Sequence, residues 1–178
     1  MPHRFPQEAA LRDGRRLMIR PFAENDANAL WSFFRRLPQS YRQFAWDNIE
    51  DPAVVERWAR NIDYGRVLPL LALDGQQVVA DATLHRRDHG PLRRVGRLKW
   101  LLDPDYRGQG LGTTLVVSLI GIAREQGLRH LTTLLISDLE QDAVATLTEL
   151  GFDRLEIPGY GTDPEGEQHD MVKLTLAL

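Results

Sequence analysis

Residues 103 to 113 read Asp103-Pro104-Asp105-Tyr106-Arg107-Gly108-Gln109-Gly110-Leu111-Gly112-Thr113, and an apolar-periodic segment runs on from Thr113 to Gln126. The pattern is a strand that stops, a tight turn, and a helix whose first backbone N–H groups have no acceptor inside the helix. Those N–H groups and the positive end of the helix dipole attract an anion, and a pyrophosphate fits such a place. Gly108, Gly110 and Gly112 carry no Cβ, so a phosphate can approach the main chain closely, and Arg107 adds a charged fork on the same side. The structural alternative is a helix start that merely needs glycine. The turn lacks the Gly-Lys-Ser/Thr ending of a Walker loop. Its glycine spacing and mid-chain position also differ from the G-x-G-x-x-G dinucleotide fingerprint.

The elements that must hold this turn follow from periodicity. Arg16 to Arg20 alternates and stops at Pro21, which reads as a first strand. Glu24 to Leu37 places Ala27, Leu30, Trp31, Phe34 and Leu37 at helical spacing, and Asp51-Pro52 opens a second helix through Val54, Val55 and Trp58. Val67 to Leu73 and Gln77 to His85 are apolar runs joined through Asp74-Gly75, a strong hairpin signal. A strand from Arg94 to Leu102 leads into the glycine turn, and Leu111, Leu115, Leu119 and Ile122 form one stripe of the helix that Gly127 ends. His130 to Ile136 is a strand. Ser137 to Glu140 resembles a capping box for a helix with Leu139, Ala143, Leu147 and Leu150 inward. Phe152 to Ile157 and His169 to Leu178 are strands on either side of a turn-rich loop, Pro158 to Gln168.

The resulting order is β-α-α-β-β-β-α-β-α-β-β. It predicts an α/β (α+β) fold: a mixed, mostly antiparallel, seven-stranded sheet with helices on both faces. Residues 1–13 are expected to be a loose arm and residues 14–178 a single domain, for which 178 residues suffice. A formal net charge of -3 gives no basic field to recommend nucleic acid as partner. The chain has no cysteine, which excludes disulfides, zinc–thiolate sites and a cysteine nucleophile, and suits a reducing cytoplasm. No run of about 18 apolar residues is present to span a membrane, and the first thirteen residues lack the apolar centre of a signal peptide.

The glycine turn, together with Glu149-Leu150-Gly151-Phe152 one strand and one helix later, resembles the GNAT N-acetyltransferase superfamily, and the element order is similar to its fold over residues 16 to 178. A narrower likeness, carried by Ile19-Arg20-Pro21-Phe22 with Asp26 and by Gly166 to Met171, is to the bacterial branch related to protein lysine acetyltransferase domains. The resemblance implies acetyl-CoA as acyl donor, no metal, and a primary amine, on a small molecule or a protein, as acceptor. It implies that the N–H groups of Gln109, Gly110, Leu111, Gly112 and Thr113 hold the pyrophosphate beside Arg107 and Gly108. The main chain of Leu101 and Leu102 would pair with the pantetheine amides. A homodimer stays open.

The chain departs from the family pattern where the chemistry would be. The glutamate many members use as base falls at Arg97, the thiolate-protonating tyrosine at Leu147, and the asparagine near the start of that helix at Glu140. Asp81, on an otherwise apolar strand with Val79, Thr83 and His85 on its face, must be paired or functional. It is a candidate base, against a salt bridge with Arg97 or Lys99. His169, opening the last strand beside Asp170, is a second catalytic candidate, against a solvated hairpin end. His85 and His89 are of the residue type suited to proton transfer near neutrality but fit ordinary loop positions. Arg97 and Lys99 share a strand face and would favour an acceptor bearing a carboxylate or phosphate; Arg35-Arg36 and Arg86-Arg87 extend that wall unless they simply solvate their surfaces. The aromatics from Trp31 to Trp58 read mainly as core, with two lining a pocket. Two functions follow: direct acetyl transfer from acetyl-CoA to an amine, or an acetyl-CoA-binding regulatory module that has lost turnover.

Overall fold

A computed structural model describes residues 4–178. It contains eight strands rather than the predicted seven, in the order β1-β2-β3-β4-β5-β6-β8-β7. They are β1 (Gln7–Ala10), β2 (Arg16–Pro21), β3 (Val67–Asp74), β4 (Gln77–His85), β5 (Val95–Leu102), β6 (His130–Ile136), β7 (Asp153–Thr162) and β8 (Gln168–Ala177). The helices are α1 (Ala27–Arg36), α2 (Gln39–Arg42), α3 (Pro52–Arg60), α4 (Leu111–Glu125) and α5 (Gln141–Glu149). The additional strand, β1, lies in the stretch expected to be a loose arm, and it pairs antiparallel with β2 from Gln7↔Ile19 to Ala10↔Arg16.

The chain forms two compact units, one of the described residues through Leu84 together with Lys99–Val116, the other of His85–Leu98 and Val117–Leu178. In the first, β2 pairs antiparallel with β3. Its core gathers Phe22, Leu30, Phe33, Phe34, Val55, Leu71 and Val78, with Trp58 set edge-on to Phe34. Full burial of Phe33 and Phe34, each worth about 1.5–3 kcal/mol, identifies them as core rather than pocket lining. Helix α1 ends where Leu37 turns extended before Pro38, since a residue preceding proline is excluded from helical geometry. Helix α3 starts as predicted: the Asp51 carboxylate accepts from the Ala53 N–H at 2.9 Å, with proline at the first helical position. The Asp74-Gly75 turn forms with Gly75 at φ 57°. Asp26 is buried and takes a bidentate ion pair from Arg20 at 2.5 and 2.7 Å, plus the Ala23 N–H at 2.8 Å.

In the second unit β5 pairs parallel with β6 over Val95–Arg97, and β6 pairs antiparallel with β8 along its whole length. β7 pairs antiparallel with β8, with a register break between Ile157 and Gly161. The predicted loop from Pro158 is thus strand as far as Thr162; on an exposed edge, proline and glycine do not prevent pairing. The capping box does not form. Helix α5 begins only at Gln141, and the Glu140 carboxylate accepts from the Ile136 N–H at 2.8 Å. Leu139 is consequently exposed rather than inward, and Val144 joins Leu147 in the buried face.

Candidate active site

The glycine turn has the geometry its sequence dictates. Gly108 and Gly110 adopt φ of 69° and 89°, and nothing lies within 4 Å of where a Cβ would stand on Gly108, Gly110 or Gly112. Thr114 donates its N–H to the Gly110 carbonyl at 3.0 Å, so the amides before it, including those of Leu111, Gly112 and Thr113, point out of the N-terminus of α4 without intrahelical acceptors. A left-handed residue on each side of Gln109 gathers successive N–H groups into a concavity that suits an anion. Open space beside three glycines and a row of outward donors fit a pyrophosphate.

Arg107 is exposed. Its guanidinium lies 4.1 Å over the Tyr41 ring and donates to the Tyr41 hydroxyl at 2.9 Å, so α2 supplies a partner for the cation at the turn. Tyr106 is buried and its hydroxyl donates to the Asp74 carboxylate at 2.8 Å. Leu101 and Leu102 end β5 half-buried, and the Asp103 N–H donates to the Val79 carbonyl at 2.9 Å, which joins the end of β5 to β4.

Asp81 sits half-buried on β4. The Thr83 hydroxyl donates to its carboxylate at 3.2 Å. Burial pushes its carboxyl from the ordinary 3.8 up to about 7, with the Asp47 charge adding to the rise, while the Thr83 hydrogen bond and the Lys99 charge oppose it. Lys99 is engaged elsewhere: its ammonium pairs with Asp47 at 3.0 Å. The predicted salt bridge between Asp81 and Lys99 is thus replaced by one between Lys99 and Asp47, which tethers the segment after Trp46 to β5.

The remaining candidates distribute as follows. In the first unit, Arg35 lies 4.9 Å over the Trp31 ring and Arg36 donates to the Val78 carbonyl at 2.7 Å, so both have local structural partners. In the second, Arg97 is half-buried opposite Thr132. His169 stands between Asp163, 3.4 Å from its Nε2, and Asp138, 3.6 Å from its Nδ1. His89 is exposed beside Asp88. Leu147 is buried, which makes it a core residue. Among the described residues no group of three or more His, Cys, Asp or Glu side chains could hold a metal ion, and no helix is long and apolar enough to cross a membrane.

Tyr41, Asp47 and Asp74 were not legible as site residues. Tyr41 figured only among the aromatics, and no spacing rule links residues 41 and 107 or 47 and 99.

A strand running into a glycine turn that opens a helix, in a mostly antiparallel sheet, makes a main-chain seat for the phosphates of a ligand. The sequence model of the Acetyltransferase (GNAT) family matches residues 29–152, and the chain belongs to that family. A curated acetyltransferase of Pseudomonas aeruginosa is 30% identical over 138 residues, 68% of this chain and 67% of that protein. The fold is similar to that of the GNAT domain of S. lividans PAT, with TM-score 0.80 at 20% identity, covering 100% of this chain and 99% of that one. It is also similar to a GNAT superfamily phosphinothricin acetyltransferase from Sinorhizobium meliloti in complex with acetyl-CoA, with TM-score 0.75 at 19% identity, covering 91% of this chain and 88% of that one.

Proposed function

We propose that this protein transfers an acetyl group from acetyl-CoA directly to a primary amine, with Asp81 as general base. When bound, acetyl-CoA supplies the acetyl thioester. The N–H groups of Gln109 to Thr113 and the Arg107 guanidinium bind its pyrophosphate. The main chain of Leu101 and Leu102, beyond the stretch of β5 that pairs with β6, takes the pantetheine amides. Asp81 accepts a proton from the acceptor ammonium, so that the free amine attacks the thioester carbonyl. The nitrogen–carbon bond forms and the carbon–sulfur bond breaks; the departing thiolate takes the second proton, which the nitrogen sheds as it becomes an amide, and Asp81 returns the first to water.

The observation that carries this reading is the Asp81 carboxyl itself, raised to about 7 because burial disfavours its charge while Lys99 is held by Asp47. A base with that value is half ionised near neutrality, where a proton acceptor works best. Pairing with Asp47 also removes Lys99 from the cationic wall expected beside it, so the acceptor is a primary amine with no requirement from Lys99 for an anionic group. His169, between two carboxylates, is read as a structural hairpin residue rather than a catalytic one.

Release of free CoA over a panel of primary amines and peptides tests the proposal. Turnover with at least one amine, with an acidic limb near pH 7 in kcat/KM, is expected. Calorimetric binding of acetyl-CoA with no release across the panel would replace it with the regulatory module; neither binding nor release would defeat both readings.

A further inference from the structure

The glycine turn is tied from behind by the hairpin of β1 and β2. The main-chain N–H of Arg12 donates to the Gln109 carbonyl at 3.1 Å, and the Arg12 guanidinium reaches the Gly108 carbonyl at 3.4 Å. Arg15 donates to the Asp105 carbonyl at 2.9 Å and lies 4.0 Å over the Tyr106 ring. The hairpin turn is itself closed. Leu11 donates to the Arg15 carbonyl at 2.8 Å, Gly14 to the Leu11 carbonyl at 3.0 Å, and the Asp13 carboxylate pairs with Arg15 at 2.6 Å.

A trans peptide is planar, with its C=O and N–H pointing in opposite directions. The peptide that bears the Gly108 carbonyl bears the Gln109 N–H, and the one that bears the Gln109 carbonyl bears the Gly110 N–H. Holding both carbonyls on the hairpin side therefore turns both N–H groups to the other side. A carbonyl that accepts a hydrogen bond also polarises its own peptide, which strengthens the N–H opposite as a donor.

We propose that Arg12 and Arg15 are positioning residues for donor binding: the hairpin grips the carbonyl side of the turn, so that the Gln109 and Gly110 N–H groups face the pyrophosphate of acetyl-CoA. The inference rests on the acetyl-CoA reading of the turn. Arg12 acts by its side chain on the Gly108 carbonyl, and its main-chain N–H, which an alanine would keep, is held at the Gln109 carbonyl by the hairpin turn that Arg15 fastens through Asp13, the Asp105 carbonyl and the Tyr106 ring. The hairpin ends before residue 29, where the family match begins, so this brace is supplied by a part of the chain outside the matched segment.

The test compares wild type with the Arg12→Ala/Arg15→Ala double variant, using acetyl-CoA and S-acetylpantetheine, which carries the same thioester without a phosphate. The double variant is expected to raise KM for acetyl-CoA about tenfold with kcat retained, a loss that one or two hydrogen bonds can account for. KM for S-acetylpantetheine is expected to stay at the wild-type value. Arg12→Lys/Arg15→Lys, which keeps both cations, should recover most of the affinity. Equal losses with the two donors would mark a merely structural hairpin and overturn the proposal, as would an unchanged KM for acetyl-CoA. If the double variant does not fold, Arg12→Ala alone is expected to raise KM for acetyl-CoA about threefold, and no rise would likewise overturn it. Wild-type protein that fails to bind acetyl-CoA in calorimetry would refute the cofactor reading itself; binding by wild type that is weakened in Arg107→Ala would uphold that reading whatever the hairpin variants do.

Discussion

Replacing Asp81 by asparagine should move activity and stability in opposite directions. The carboxyl rises from 3.8 in an ordinary setting to about 7 in the folded protein. At 1.36 kcal/mol per unit this corresponds to up to about 4 kcal/mol of unfavourable ionisation in the native state. The sign follows from proton binding. Between pH 4 and 7 the folded protein holds the Asp81 proton and the unfolded chain does not, so the wild type loses stability as pH rises through that window. Asparagine has nearly the same shape, keeps an oxygen for the Thr83 hydroxyl, and cannot ionise. Urea unfolding of both proteins from pH 4 to 9 isolates the effect, because titrating groups that do not interact with Asp81 cancel in the difference. Asp81→Asn should gain steadily on the wild type up to about pH 7 and hold a constant advantage above it. In the same variant kcat/KM should fall by about 10² to 10⁴, and the acidic limb near pH 7 should vanish. A stability difference that is flat across pH would refute the buried-carboxyl reasoning. An acidic limb that survives in Asp81→Asn would remove Asp81 from the chemistry.

Asp47→Asn leaves Lys99 without its 3.0 Å partner and free to act on Asp81, so the acidic limb of kcat/KM should move to lower pH; a pH–rate profile reads the shift. Gly110→Ala and Gly112→Ala should separate backbone strain from phosphate approach. The first forces a side chain to φ 89° at about 1–2 kcal/mol, whereas the second sits in α4 and should gain about 0.5–1 kcal/mol in thermal unfolding. Both should raise KM for acetyl-CoA. Burial opposes the charge of Asp26, yet Arg20 and the Ala23 N–H hold its carboxyl below the ordinary carboxylate value. Its contribution is therefore present above about pH 4 and is lost as pH falls through the folded value. Asp26→Asn should cost about 2–3 kcal/mol in urea unfolding at pH 7 and much less near pH 2.

What the sequence revealed was governed by local rules. The Asp51 cap, the Asp74-Gly75 turn and the glycine turn each depend on a few consecutive residues, and each formed where expected. β1 escaped because Gln7-Glu8-Ala9-Ala10 has neither alternation nor β-branched residues; its strand geometry comes from pairing with β2. Pro158 and two glycines concealed the second half of β7, because an edge strand tolerates them. On the site, the glycine turn is a matter of main-chain conformation, and that conformation was readable. The partners of its side chains were not: Tyr41 meets Arg107, and Asp47 meets Lys99, only through tertiary packing. That second pairing also engages Lys99, one of the two ion-pair partners that the sequence offered for Asp81.

β7 stands last in the strand order and exposes Leu155 and Tyr160, a setting that elsewhere invites a foreign strand to add itself to the sheet. Here Pro158 contributes no N–H, the register breaks between Ile157 and Gly161, and Arg154 and Glu156 pair along the outer strand. The row of hydrogen-bonding groups is thereby cut into pieces too short to template a long ladder. The same irregularities that disguised this strand in the sequence protect the folded chain against self-association into aggregates through its apolar border.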